Sequence, residues 1–368
     1  MIHQPKRILS FDGGGIRGIF SLQIAARIEQ MFRDEYDRPD LVLADVIDLF
    51  AGTSTGAIIA SFLAWGASVA EVEALYTSRG KQMFARQNPL LPWRRLNSKY
   101  RAEDIAGFFR TQFTDDDGTP ALLGSPKLKK LLLVVMRNAT TGAPWPISSN
   151  PRALFNEPSL ANCNLRIPLW QLLRASTAAP TFFPPEEIRI GDEKFLFIDG
   201  GVTPYNNPAL LAVLMATLPG YRLEWPTGRD ALHVISIGTG GHRTRLLKQL
   251  PQKTYLWDAL GFVVPTLIDD AAINQDTLCR VLGDCVHGSQ LDSEIGSLGA
   301  PTLLTAAEQK FTYARYNCMM DSKEVGNPMT PSELELDNLQ ALQRLKGIGR
   351  DYAAREVQRE HLYSRALS

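Results

Sequence analysis

Val46-Ile47-Asp48-Leu49-Phe50-Ala51-Gly52-Thr53-Ser54-Thr55-Gly56 is the stretch on which the fold turns. Val46 to Phe50 reads as a short buried strand, Gly52 to Gly56 as a tight turn, and the uncharged run from Ala57 to Leu63 opens a helix. A nucleophilic serine must stand clear of a sheet on a backbone bent so sharply that neighbouring side chains would collide. Glycines two positions either side relieve that crowding, and the following helix aims its free N–H groups at the same spot. An ordinary Gly/Ser turn has the same letters, so the motif needs partners elsewhere in the chain. The uncharged interval from Leu49 to Ala70 is long enough to tempt a membrane-span reading. Gly52, Thr53, Ser54, Thr55, Gly56, Ser61, Gly66 and Ser68 interrupt it, so it reads as a buried turn and helix, with any membrane contact peripheral.

Upstream, Arg7 to Phe11 reads as a buried strand, Asp12-Gly13-Gly14-Gly15-Ile16-Arg17-Gly18 as a glycine loop, and Ile19 to Phe32 as a helix. Downstream, Lys130 to Met136 is an apolar strand, and Trp170 to Ala179 a helix stopped by Pro180. Lys194 to Ile198 is a strand ending in Asp199-Gly200-Gly201, and Leu232 to Ile237 a strand closed by Gly238-Thr239-Gly240. This alternation predicts an α/β layered, mostly parallel sheet. Residues 85–127 show no clean period, and 142–168 read as irregular. Residues 241–368 read as helical, with no strong strand run. Thr330-Pro331-Ser332-Glu333 fits a helix-opening capping box ahead of Leu336, Leu339, Leu342 and Leu345. There is no internal repeat.

Of the 368 residues, 45% are apolar and 21% charged, which excludes disordered and fibrous classes. Lys plus Arg is 39 and Asp plus Glu is 39, so no basic surplus supports binding to DNA or RNA polymers. Four cysteines in so long a chain make no disulfide framework, and Met1 to Ser10 carries no apolar leader core. A cytoplasmic location with reduced thiols is expected. Cys279, Cys285 and His287 lack the pair spacing of a zinc site, and no metal or cofactor is expected.

A serine hydroxyl needs a proton acceptor. Of the five histidines, only His242 follows a strand end; His3, His233, His287 and His361 do not, and His242 is equally a solvated loop residue. Asp199 is the stronger candidate, since its carboxylate ends an apolar strand, and a dry pocket would raise it toward the range of a useful base. Its alternative is a turn-forming Asp before Gly-Gly. Acyl transfer also creates an oxyanion, which the Gly13 to Gly15 amides could stabilise. Gly13-x-Gly15-x-x-Gly18 competes as a dinucleotide fingerprint. The acid that reading wants after the next strand is missing: Asp34, Glu35 and Asp37 fall in a polar helix end. No Gly-Lys-Ser/Thr follows, which excludes a P-loop.

The series glycine loop, Gly52-Thr53-Ser54-Thr55-Gly56, Ala-Ser-Thr-Ala-Ala-Pro at 175–180, Asp199-Gly200-Gly201, Asn206-Asn207-Pro208 and Ser236-Ile237-Gly238-Thr239-Gly240 resembles the patatin-like phospholipases. The resemblance implies a three-layer α/β sandwich with a mostly parallel central sheet. It places a phospholipase domain at 8–214, with residues 215–368 completing the core to about 240 and adding a helical C-terminal extension of regulatory character. It implies Ser54 as nucleophile, Asp199 as proton acceptor, and Gly13, Gly14 and Gly15 as oxyanion hole. Asp12, Arg17, Gly18, Gly52, Gly56, Gly200 and Gly201 support the motifs. The implied reaction is metal-free hydrolysis of membrane phospholipid esters through an acyl-serine. Arg17 reads either as a tie within the loop or as a ligand of lipid phosphate, and the tie is favoured.

Trp93-Arg94-Arg95, near Pro89, Pro92, Lys99 and Arg101, has the make-up of a segment at an anionic lipid surface, or of a covering loop. Leu278 to Cys285, Leu291 to Gly296 and Tyr313 to Asn317 resemble the C-terminal part of bacterial patatin-like effectors of cyclic-oligonucleotide anti-phage signalling (CBASS). That likeness implies activation by a cyclic dinucleotide, action at the inner membrane when active, and leaves a homo-oligomer open. Arg243, Arg245, Lys248 and Arg280 are the cations that charge alone nominates for the nucleotide phosphates. Constitutive activity, with the C-terminal helices merely completing the fold, is the competing expectation.

Overall fold

The computed structural model describes residues 4–83, 102–180, 182–241, 256–298, 303–322 and 325–363. The chain begins with β1 (Lys6–Phe11), α1 (Gly18–Tyr36), α2 (Leu43–Val46), β2 (Leu49–Thr53), α3 (Thr55–Trp65), α4 (Val69–Met83) and α5 (Ala102–Gln112). It continues with β3 (Leu131–Asn138), β4 (Ala143–Ser148), α6 (Leu169–Ser176), β5 (Glu186–Ile190), β6 (Glu193–Asp199), α7 (Ala209–Thr217) and β7 (Leu232–Ile237). Last come α8 (Leu256–Leu282), β8 (Asp284–His287), β9 (Thr312–Tyr316) and α9 (Leu342–Glu356).

Among the described residues, nine strands join one sheet in the order β5-β6-β3-β2-β1-β7-β9-β8, with β4 on β3. Pairing is parallel from β3 through β2, β1, β7 and β9 to β8, and antiparallel for β3–β4, β3–β6 and β5–β6. Successive strand residues feed opposite faces. Leu9, Phe11, Phe50, Leu132, Val134, Ile235 and Ile237 pack with α1, α3 and α9. Ile8, Leu49, Ala51, Leu133, Val135, Leu232 and Val234 pack with α7. Both faces being covered, a strand such as Leu131-Leu132-Leu133-Val134-Val135-Met136 is apolar throughout. The architecture is the layered, mostly parallel α/β sheet expected.

One topological detail positions the chemistry. β2 pairs with β3 from Leu49↔Leu131 to Thr53↔Val135. β6 pairs with β3 at Met136↔Asp199 through Asn138↔Phe197. Because β4 covers Leu133 to Asn138 from the other side, β2 and β6 share one edge of β3 end to end. β2 leaves that edge at Ser54 where β6 arrives at Asp199.

Several expectations need correction. Val46 ends α2, so the strand starts at Leu49; Asp48 lies before it and anchors β1 by accepting from the Lys6 ammonium at 2.8 Å and the Arg7 N–H at 2.9 Å. The interval expected to be irregular contains β4, whose Pro144 and Pro146 suit a strand that, among the described residues, pairs on one side alone. The C-terminal region is not purely helical, because β8 and β9 extend the sheet beyond β7. Glu333 does accept from the Thr330 N–H and hydroxyl, both at 2.9 Å, yet the helix begins only at Leu342.

Candidate active site

The parallel strands deliver their following loops to one edge. Phe11 is level with Gly52 on one side and with Ile237 on the other, and Ile237 with Tyr316. The glycine loop, the serine turn and the loops after β7 and β9 therefore meet there.

Ser54 is partly exposed, while its neighbours Thr53 and Thr55 are buried. It has φ 54° and ψ −124°, a conformation that costs a non-glycine residue about 1–3 kcal/mol. A Cβ at Gly52 would strike the Gly56 carbonyl, and one at Gly56 would strike the Phe11 carbonyl, so the bend exists only with glycine at both. The Ser54 carbonyl accepts from the Ala57 N–H at 2.9 Å, tying the bend to the first turn of α3.

The Ser54 hydroxyl donates to Asp199 Oδ2 at 2.6 Å. The other oxygen, Oδ1, accepts from the Gly201 N–H at 2.7 Å. Burial pushes the Asp199 carboxyl up to about 6, against the hydrogen bonds from Ser54 and Gly201 and the nearby positive charge of Arg174. A carboxylate titrating there is ionised at neutral pH yet basic enough to hold a proton briefly. Gly200 packs its Cα against the Val135 carbonyl, where a side chain would not fit.

The glycine loop lies beside the serine. Gly15 has φ 58°, and a Cβ there would strike the Leu336 carbonyl, which also accepts from the Ile16 N–H at 2.8 Å. Of the three amides expected to receive an oxyanion, that of Gly13 is already engaged, donating to the Asn206 carbonyl at 3.2 Å. Those of Gly14 and Gly15 have no carbonyl partner among the described residues. Asp12 turns away from the serine and forms a buried pair with Arg315 of β9, at 2.8 and 2.5 Å. Arg17 is buried and donates from Nη1 to the Gly240 carbonyl at 3.0 Å and from Nε to the Gly14 carbonyl at 3.4 Å. It ties the loop after β1 to the loop after β7. Gly18 packs against Thr55 at the start of α3.

Among the described histidines none bonds to Ser54 or Asp199. His233 is buried near the start of β7, and burial with the adjacent Arg7 lowers it to about 4. His287 and His361 stack on each other at 4.6 Å. His3 and His242 lie outside the described residues, as do Trp93-Arg94-Arg95, Lys99, Arg101, Arg243, Arg245 and Lys248. Arg280, nominated for nucleotide phosphates, is corrected. It is fully buried and spends its donors on both Asp276 oxygens and on the Ser289 and Ser297 carbonyls. The Cys279–Cys285–His287 set forms no metal-holding cluster among the described residues, and all four cysteines are buried free thiols.

Residue-by-residue reading missed the roles of Arg315, Arg174 and Ser176. All three are polar side chains inside apolar elements, and that inconsistency was the available signal.

Residues 9–213 match a family model described as patatin-like phospholipase. A cGAMP-activated phospholipase of Escherichia coli is 27% identical over 298 residues, 76% of this chain and 77% of that one. A cGAMP-activated phospholipase of Vibrio cholerae is 29% identical over 65% of this chain and 66% of its own length. A probable inactive patatin-like protein 9 of Arabidopsis thaliana is 30% identical over 64% of this chain and 61% of its own length. The chain thus spans under two thirds of the last two relatives.

Proposed function

Since the chain belongs to the patatin-like phospholipase family, we propose that it cleaves acyl esters of membrane phospholipids with Ser54 as nucleophile and Asp199 as proton acceptor. The supporting observation is the 2.6 Å bond from the Ser54 hydroxyl to the carboxylate raised to about 6. Ser54 Oγ attacks the ester carbonyl as its proton passes to Asp199 Oδ2. The carbonyl π electrons move to oxygen, and the Gly14 and Gly15 N–H groups receive the negative charge. Collapse of the tetrahedral species breaks the ester C–O bond, and the leaving lysolipid alkoxide takes the proton from Asp199. Water then attacks the acyl-serine, Asp199 accepts its proton, and that proton returns to Ser54 as the fatty acid departs.

The test is fatty-acid release from mixed phospholipid vesicles. Wild-type protein releases fatty acid and reacts with a fluorophosphonate at Ser54, whereas Ser54→Ala does neither. Release by Ser54→Ala would falsify the assignment.

A second reading concerns control. The alignment with the Escherichia coli cGAMP-activated phospholipase, 298 residues, runs longer than the interval matched by the family model. On that ground a cyclic dinucleotide raises the activity, with the C-terminal part of the chain involved, in an anti-phage role at the inner face of the membrane. Contact with lipid is then peripheral; among the described residues no helix is long and apolar enough to cross a membrane. Equal turnover with and without a panel of cyclic dinucleotides refutes this control.

A further inference from the structure

The end-to-end meeting of β2 and β6 on one edge of β3 leaves a gap in the hydrogen-bond ladder at the reactive pair. Direct β2–β3 pairing stops at Thr53↔Val135, and the next residue of β2 is the strained Ser54. Ser176, the last residue of α6, fills that gap. Its hydroxyl accepts from the Ser54 N–H at 3.0 Å and donates to the Val135 carbonyl at 2.6 Å. Two residues on, the Ala178 carbonyl accepts from the Asp199 N–H at 3.0 Å. One short run thus holds the main chain of both partners, across three strands. Ser176 is fully buried and Ala178 nearly so, and neither is placed to touch substrate.

We propose that Ser176 is a positioning residue, whose hydroxyl fixes the backbone of Ser54 and with it the distance from the Ser54 hydroxyl to Asp199. The proposal rests on the reading of Ser54 and Asp199 as the reacting pair. A positive-φ serine relaxes unless its surroundings hold it. Of its flanking bonds, the Ala57 and Ile58 N–H groups hold its carbonyl, while Ser176 holds its N–H. With the hydroxyl gone, the Ser54 N–H and the Val135 carbonyl lose their shared partner, and the peptide between Thr53 and Ser54 is free to rotate. A displacement near 1 Å at a reacting atom lowers turnover on the order of 100-fold.

The test compares wild type, Ser176→Ala and Ser176→Thr in vesicle turnover and in the rate of fluorophosphonate labelling. Ser176→Ala should lose roughly 10- to 100-fold in both kcat and labelling rate, with KM within about 2-fold, because attack geometry is lost while lipid binding is not. Its pH–rate midpoint should move up from that of wild type, since a displaced Ser54 hydroxyl no longer favours the Asp199 carboxylate through its hydrogen bond. Ser176→Thr restores the hydroxyl and should recover to within about 5-fold of wild type. If Ser176→Ala does not fold, Ser176→Cys, of similar volume with a weak donor, should show the same kcat loss. Wild-type labelling by a folded Ser176→Ala or Ser176→Cys overturns the proposal, as does a loss confined to KM. The reading of the reacting pair fails separately, if wild-type protein is not labelled at Ser54 or if Ser54→Ala still turns over.

Discussion

The two shoulders of the reactive edge are held by different physics. On the β2–β3–β6 side, Ser54 and Asp199 are fixed by short bonds to the Ser176 hydroxyl, the Ala178 carbonyl and the Gly201 N–H, from chain that lies within the interval matched by the family. On the β1–β7–β9 side, the glycine loop is fixed by buried charges: Asp12 on Arg315, and Arg17 on the Gly240 and Gly14 carbonyls. Leu336 and Arg315 lie beyond residue 213, where the family match ends. Ser54 is thus held from within the interval matched by the family, while the glycine loop depends on the last third of the chain.

The largest effect that can break this contrast is Asp199→Asn. Fatty-acid release should fall on the order of 1,000-fold or more, read by titrating product. Stability should move the other way. The Asp199 carboxyl is raised from 3.8 to about 6 in the fold, so its charge costs nothing below pH 4 and the full amount above pH 6. The variant should gain up to about 3 kcal/mol at pH 8 and nothing at pH 4, read by denaturant unfolding at both. A gain that is the same at both pH values contradicts the assignment of that shift.

On the other shoulder, Arg315→Met strands the Asp12 charge in the interior and should destabilise the protein by about 3–5 kcal/mol. The double variant Asp12→Asn/Arg315→Met should recover more than half of that loss. A single-variant loss below about 1 kcal/mol would mean that the two shoulders are not held differently.

Arg17→Met should act less on folding than on chemistry. It frees the loop from Gly240, and kcat should fall roughly 10- to 50-fold with little change in KM. Loss of lipid affinity instead, read as a raised KM on anionic vesicles, would restore the phosphate-binding reading of Arg17.

The smallest effect sharpens the dyad side. The pH–rate profile should show an acid limb with a midpoint near 6, activity being lost as pH falls and Asp199 takes up its proton. Arg174→Met removes a positive charge that favours the carboxylate, so the midpoint should move up by as much as about one unit. A downward shift would show that Arg174 acts mainly through packing.

What the sequence made legible follows the same division. Phe11, the glycine run, the Gly52 to Gly56 turn and Asp199 after an apolar strand are local patterns in which neighbouring residues state the conformation. β9 was hidden because Thr312-Tyr313-Ala314-Arg315-Tyr316 carries an arginine where a central strand should be apolar, and the acid that neutralises it lies 303 residues away. β4 was hidden by its two prolines, which a strand paired on one side tolerates. Arg280 was misread because charge alone was counted: Asp276, one helical turn before it, neutralises it, and the burial of that helix face depends on packing that the sequence does not state. The capping pattern at Thr330 to Glu333 was read correctly as local bonding and wrongly as the start of a helix. Even Gly13, inside a legible motif, has its amide taken by Asn206, a pairing across 193 positions that no local pattern states.

The pair between Asp12 and Arg315 also has a consequence for biosynthesis. Ribosomes add roughly 5–20 residues per second, so Asp12 emerges some 15–60 s before its counter-charge does. Until then the glycine loop has neither its ion pair nor the Leu336 carbonyl that braces Ile16. A nascent chain can thus carry Ser54 and Asp199 early while the glycine loop beside them still lacks its brace. The brace on the loop is therefore complete only after both Arg315 and Leu336 have been made.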